Sequence, residues 1–206
     1  MISVQPDLFN SPLLPGLAQA DDVVTPDEER ALVAAIDAVD LSPFRFQGWT
    51  GKRLTASFGW RYDFDGGGFD LADSIPDWLL PVRHRAARFA GLRPSELVQA
   101  LLIRYDPGAG IGWHRDRPLF EHVVGVSLGA PATMRFRRRR SENAIAGFDR
   151  RSALLAPRSI YHLSGEARNE WEHSIAAMAA TRWSITFRSL SAAGRRHIMM
   201  VESTLS

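Results

Sequence analysis

The chain contains no cysteine, which excludes disulfide scaffolds, thiolate metal sites and cysteine nucleophiles. Any metal must therefore be held by His, Asp or Glu. No apolar run approaches the ~18–20 residues of a membrane span. The opening MISVQPDLFNSPLLPG lacks a basic n-region and a long apolar h-region, so a cytoplasmic protein without a membrane partner is expected. Lysine is almost missing: Lys52 stands alone, leaving 25 − 1 = 24 arginines against 23 acids and a net charge of +2. Two origins fit this excess. One is a lineage that favours arginine codons; the other is a need for planar guanidinium forks that grip carboxylate or phosphate.

With 206 residues, 45% of them hydrophobic, the chain suits one domain over 1–206 with a proper core, expected as a monomer. Residues 1–20 carry turn signals and read as an extended arm, and 191–206 as a loose tail. Thr25, Pro26 and Glu28 form a capping-box signature, with Leu32, Val33, Ile36 and Val39 following at helical spacing. A second helix fits Pro76–Ala90, stopped by Gly91. Phe44–Phe64 is strand-like and aromatic, ending in the glycine run 66–68. After Pro94 short runs rich in β-branched residues alternate with turn signals: 97–105, 122–128, 133–137, 153–156, 160–163, 171–178 and 182–190. This pattern predicts a β-sandwich or jelly-roll core with N-terminal helices covering one sheet, an α+β fold. The basic run Arg135–Arg140 reads as a solvated loop or a phosphate contact.

Of six histidines only His114 has a carboxylate two residues on, Asp116. On a strand, such residues share a face with Cα atoms ~6.6 Å apart, close enough to converge on one metal. The pair alone is weak, since six histidines and 23 acids in 206 positions give about 0.7 such pairs by chance. His173, 57 residues after Asp116 in a second strand-like run, supplies a third ligand. Two His and one carboxylate suit non-haem Fe(II) oxygenases, with zinc hydrolysis as the competing use. The run 182–188 alternates strictly, with Arg182, Ser184, Thr186 and Arg188 on one face and Trp183, Ile185 and Phe187 on the other. An interior that holds an anion explains the polar face, and ~20 Å of strand sets the two arginines at opposite ends of a site. His84, His122 and His162 read as core or surface histidines, and Trp113 and Trp171 as packing residues.

The stretches LLIRYDPGAGIGWHRD, VVGVSLGAPATMRFR, SGEARNEWEHSI and RWSITFRSL follow in order, preceded by PGL, SFGWRYDF and IPDWL. In this the chain resembles the AlkB-like Fe(II)/2-oxoglutarate-dependent dioxygenases. The resemblance spans most of the chain and implies a double-stranded β-helix using Fe(II), 2-oxoglutarate and O2. It implies iron ligation by His114, Asp116 and His173. Arg182 would clamp the distal carboxylate of 2-oxoglutarate, and Tyr105 would hydrogen-bond the cosubstrate. Ser184 would lie beside it, and Arg188 beyond it on the iron side. The implied reaction is oxidative demethylation of N-alkylated bases in DNA or RNA, single-stranded by expectation.

Three positions depart from the family pattern: Ile103 and Ser184 each replace an Asn, and Pro118 replaces an acid used for base contact. Ile103 and Pro118 favour a same-family oxygenase of protein or small molecules; a non-catalytic 2-oxoglutarate-binding module is the further alternative. Base demethylation needs an aromatic platform for an unstacked base. Trp60 and Tyr62 are the candidates, with Arg61 and Arg53 as phosphate contacts; core packing is the plain alternative for Trp60 and Tyr62. Gln5-Pro6-Asp7-Leu8-Phe9 is similar to peptides that dock on the bacterial replication sliding clamp, or it covers the domain's own core.

Overall fold

The computed structural model describes residues 13–46, 49–62, 69–140 and 147–205. The clamp-like segment Gln5–Phe9 and the glycine run 66–68 lie outside them. Among the described residues twelve strands and four α-helices follow in the order β1 (Leu17–Ala20), α1 (Pro26–Asp37), β2 (Ser42–Phe46), β3 (Trp49–Tyr62), β4 (Phe69–Leu71) and α2 (Leu80–Ala90). The chain continues with β5 (Leu97–Tyr105), β6 (Ile111–His114), β7 (Phe120–Gly129), β8 (Ala132–Arg139), β9 (Phe148–Leu155) and β10 (Ile160–Leu163). It closes with α3 (Gly165–Asn169), β11 (Glu172–Ile175), β12 (Arg182–Leu190) and α4 (Ala192–Leu205).

The strands form two antiparallel sheets. The major sheet runs β1-β10-β7-β12-β5-β3-β2, with β4 paired to β3; the minor sheet runs β6-β11-β8-β9. This is the double-stranded β-helix. Strand β12 lies centrally between β5 and β7, so its backbone is paired on both sides. Its alternation sorts its side chains between two environments. Ile185 and Phe187 are fully buried in a core shared with Leu32 and Ile36 of α1 and with Val82, Ala86 and Ala87 of α2. Arg182, Ser184, Thr186 and Arg188 take the opposite parity, toward the minor sheet. Thr25 and Glu28 complete the capping box of α1 at 3.2 and 2.7 Å, and Gly91 ends α2 at φ 69°. No helix among the described residues is long and apolar enough to cross a membrane.

Three expectations change. The end of the N-terminal arm is packed: Leu14 and Leu17 are buried, and β1 pairs with β10. The loose tail is helix α4, anchored where Ile198 meets Phe120. The basic run is mainly strand β8, not a loop; Arg137, Arg138 and Arg140 each form an ion pair there.

Candidate active site

Strands β6 and β11 are neighbours with His114 and His173 in register, which brings their rings to 4.3 Å between centroids. Strand β6 ends at His114, so Asp116 is not on a strand as its spacing suggests. A loop delivers it instead. Buried Arg168 ties that loop down by donating to the carbonyls of Arg117 and Phe120, and Ser191 Oγ donates to the carbonyl of Pro118. Ligand atoms of His114, Asp116 and His173 then lie within 4.8 Å of one another, a set able to hold one metal ion. His114 Nδ1 lies 2.9 Å from the Gly112 carbonyl, which fixes the ring and leaves Nε2 for a metal.

Electrostatics keep this set in its ligating form. Burial pushes the Asp116 carboxyl upward, but Arg188 and the two histidines outweigh it and hold it well below the usual range. Arg188 donates to Asp116 Oδ1 from Nε at 2.9 Å, its Nη2 is in ion-pair contact with the same oxygen at 2.8 Å, and its Nη1 donates to Gln99 Oε1. Oδ2 is left 3.6 Å from His173 Nε2. Burial, then the neighbouring His114, pushes His173 down to about 3; burial also lowers His114. Both rings are thus neutral at physiological pH, as metal binding requires.

At the other end of β12, Arg182 is 1% exposed. Its Nη2 donates to Ser127 Oγ at 2.7 Å, and its guanidinium lies 5.3 Å from the Tyr105 ring. Nε and Nη1 of Arg182 are buried without any acceptor. An unpaired buried guanidinium is costly, and a bound carboxylate supplies the missing acceptors in the planar geometry that the fork prefers. Ser184 is buried in the next row, opposite Ile103 and Ser127. The residues present therefore fit an anionic ligand with one end at Arg182 and the other near Asp116.

Two features of the interior are missing from the sequence reading. Tyr161 is buried, and its hydroxyl is hydrogen-bonded to Thr186 on β12. It lies over Gly125, where an added Cβ would meet the ring at 2.2 Å. A glycine inside an apolar strand signals such a close approach. Arg53, expected to meet phosphates at the surface, is 7% exposed; its guanidinium stacks 3.7 Å from the Phe44 ring, and burial lowers its pKa. Trp60 is half-buried against Phe120, Leu119, Leu190 and Ile198. Arg61 and Tyr62 continue β3 and pair with β4, but their side chains lie outside the described residues.

The sequence profile of the 2OG-Fe(II) oxygenase superfamily matches residues 48–195. The chain is 28% identical over 175 residues to the Xenopus tropicalis tRNA (carboxymethyluridine(34)-5-O)-methyltransferase alkbh8, covering 82% of this chain and 26% of that protein. It is 29% identical over 184 residues to the Arabidopsis thaliana alkylated DNA repair protein ALKBH8 homolog, covering 79% and 51%. The chain thus spans only a quarter to a half of these relatives. Among solved structures, OsALKBH1 superposes with a TM-score of 0.64 at 15% identity, over 84% of this chain and 96% of that one. The chain belongs to the 2OG-Fe(II) oxygenase superfamily, oxidoreductases that use Fe(II), 2-oxoglutarate and O2, and is similar within it to the AlkB-like proteins named above.

Proposed function

We propose that this oxygenase removes N-alkyl groups from bases of single-stranded nucleic acid. In this reading His114, Asp116 and His173 hold the iron, and Arg182, Tyr105, Ser184 and Arg188 receive 2-oxoglutarate. The observation that carries the site assignment is Arg182, buried with two empty donors on the same interior face as Arg188, which grips Asp116. Iron, 2-oxoglutarate and O2 together supply a two-electron oxidation that hydroxylates a C–H bond and yields succinate and CO2.

The chain's own share is binding and orientation. Arg182 fixes one end of the dianion by charge-assisted bonds. Arg188 occupies Asp116 Oδ1 and leaves Oδ2 for the metal. Tyr161 and Ile103 exclude water along the wall. A hydroxylated N-methyl group then loses formaldehyde by collapse of the hemiaminal, which needs no further catalyst.

The nucleic-acid substrate is supported by the names of both ALKBH8 relatives, one a tRNA methyltransferase and one an alkylated-DNA repair protein. Pro118 favours a second reading, a same-family oxygenase of protein or small molecules, because its loop offers no carboxylate at that position to an exocyclic amine. Formaldehyde release from oligonucleotides carrying 1-methyladenine or 3-methylcytosine, as DNA and as RNA, separates them. Release that requires 2-oxoglutarate and disappears in His173→Ala is expected. Intact 2-oxoglutarate binding with no release from any oligonucleotide would overturn the nucleic-acid assignment.

A further inference from the structure

Successive residues of a strand point to opposite faces. On the minor sheet, the residues before His114 and His173 are Trp113 and Glu172, which therefore stand on the outer face, back to back with the metal ligands. Arg135, Arg137 and Arg139 of β8 share that face, ~6.6 Å apart along the strand. On β9, Arg150 and Phe148 are their register partners, opposite Arg137 and Arg139.

These side chains are organised. The Arg135 guanidinium lies 5.3 Å from the Trp113 ring and its Nε donates to Ser174 Oγ. Arg137 sits between two rings, 4.5 Å from Trp113 and 4.7 Å from Phe148, and its charge is taken by Glu172 at 2.6 Å. Arg150 lies 5.7 Å from Phe148. The result is a ladder of alternating arginines and aromatic rings across the sheet. Arg135, Arg139 and Arg150 are exposed and have no ion-pair partner among the described residues. The other arginines of the run are already neutralised: Arg138 by Glu166 and Glu170, and Arg140 by Asp149.

We infer that this outer face of the minor sheet is a docking surface for a single nucleic-acid strand, holding the phosphates that flank the base in the active site. The inference rests on the nucleic-acid reading above and adds a path for the strand. Charge complementarity selects the occupant: three exposed guanidinium groups on two adjacent strands, with no ion-pair partner among the described residues, meet a polyanion, and half-buried rings between them offer stacking platforms. The strand would pass over edge strand β6, where Trp113 is followed directly by His114. An acidic polypeptide matches the charge but makes no use of the rings as base platforms.

The test is fluorescence anisotropy of a labelled single-stranded oligonucleotide with the full chain. The Arg135→Gln/Arg139→Gln/Arg150→Gln variant should bind at least tenfold more weakly. The slope of log K against log salt should fall by about 2, because each phosphate no longer neutralised removes roughly 0.7 from it. A control, Arg30→Gln/Arg88→Gln/Arg93→Gln, removes equal charge from the helical elements and should bind within twofold of wild type. Thermal stabilisation by 2-oxoglutarate, unchanged in both variants, verifies the fold. Equal affinity of the ladder variant and wild type, or equal loss in the control, overturns the ladder while leaving the nucleic-acid reading intact. Wild type without salt-dependent binding overturns both. Displacement of the oligonucleotide by polyglutamate as readily as by unlabelled strand overturns the choice of occupant.

Discussion

Arg188 sets two guanidinium nitrogens against one oxygen of Asp116, Nε donating to Oδ1 at 2.9 Å and Nη2 in ion-pair contact with it at 2.8 Å. A carboxylate held this way keeps a single, oriented lone-pair set for a metal. Gln99 in turn holds Arg188, so the ligand is positioned by a chain of three buried or nearly buried side chains.

Removal of this partner should therefore cost metal affinity. Arg188→Gln is expected to weaken Fe(II) or Mn(II) binding by roughly 10–100-fold, the usual range when the hydrogen-bond partner of a metal ligand is removed. Metal titration followed by calorimetry measures it. An unchanged affinity would show that the Asp116 rotamer is set by its loop alone.

Arg182 predicts an inverse pattern. With Nε and Nη1 unsatisfied, the guanidinium is a burden on the ligand-free fold. Arg182→Met should melt no lower than wild type without ligand, yet lose the upward Tm shift that 2-oxoglutarate gives. Arg182→Lys should recover little, because a point charge cannot form the planar fork. A ligand-induced shift that survives in Arg182→Met would remove the proposed anchor.

The major sheet carries a separate pH effect. His122 Nδ1 and His162 Nε2 lie 2.9 Å apart, and burial, followed by His122, pushes His162 down to about 4. Between that value and the ordinary histidine value of about 6.5, the unfolded chain binds the proton and the folded chain does not. Stability is thus unaffected above this window and falls as pH drops through it, by up to about 1.4 kcal/mol per pH unit. Urea unfolding at pH 7 and pH 5 should show a smaller acid loss in His162→Gln than in wild type. Parallel losses would exclude His162 as the source.

Gly125 is the fourth case. A methyl group there would meet the Tyr161 ring at 2.2 Å, and the buried ring has little room to move. Gly125→Ala should cost about 1–3 kcal/mol, the range for overpacking, and shift the hydroxyl away from Thr186. Thermal unfolding measures it, and a Tm equal to wild type would mean that the ring relocates freely.

Legibility in the sequence follows burial. Strands β5, β10 and β12 match their expected limits because apolar runs end at clear turn residues on both sides. Strand β9 is legible only in its second half, since Asp149, Arg150 and Arg151 occupy its beginning on an open sheet edge. The four-residue β6 is too short and glycine-containing to stand out, so the spacing of His114 and Asp116 suggests one strand where the fold uses a strand and a loop. Only long-range contacts explain that loop: Arg168, 48 residues beyond Phe120 in sequence, holds it in place. Helix α4 escapes notice because, among its described side chains, Ile198 is the one large apolar group that is buried. The arginine excess resolves in the same way. Arg53, Arg168 and Arg182 are buried and Arg188 is paired to the candidate metal ligand, roles that composition does not separate from a codon preference.

The central claim is that oxidation at the His114–Asp116–His173 set is spent on an N-alkylated base. The most direct test is the ratio of succinate formed to methyl groups removed from a single-stranded oligonucleotide carrying one 1-methyladenine, both read by mass spectrometry. A ratio near one, with both products absent in Asp116→Ala, is the predicted result. Steady succinate formation with the oligonucleotide mass unchanged would contradict it.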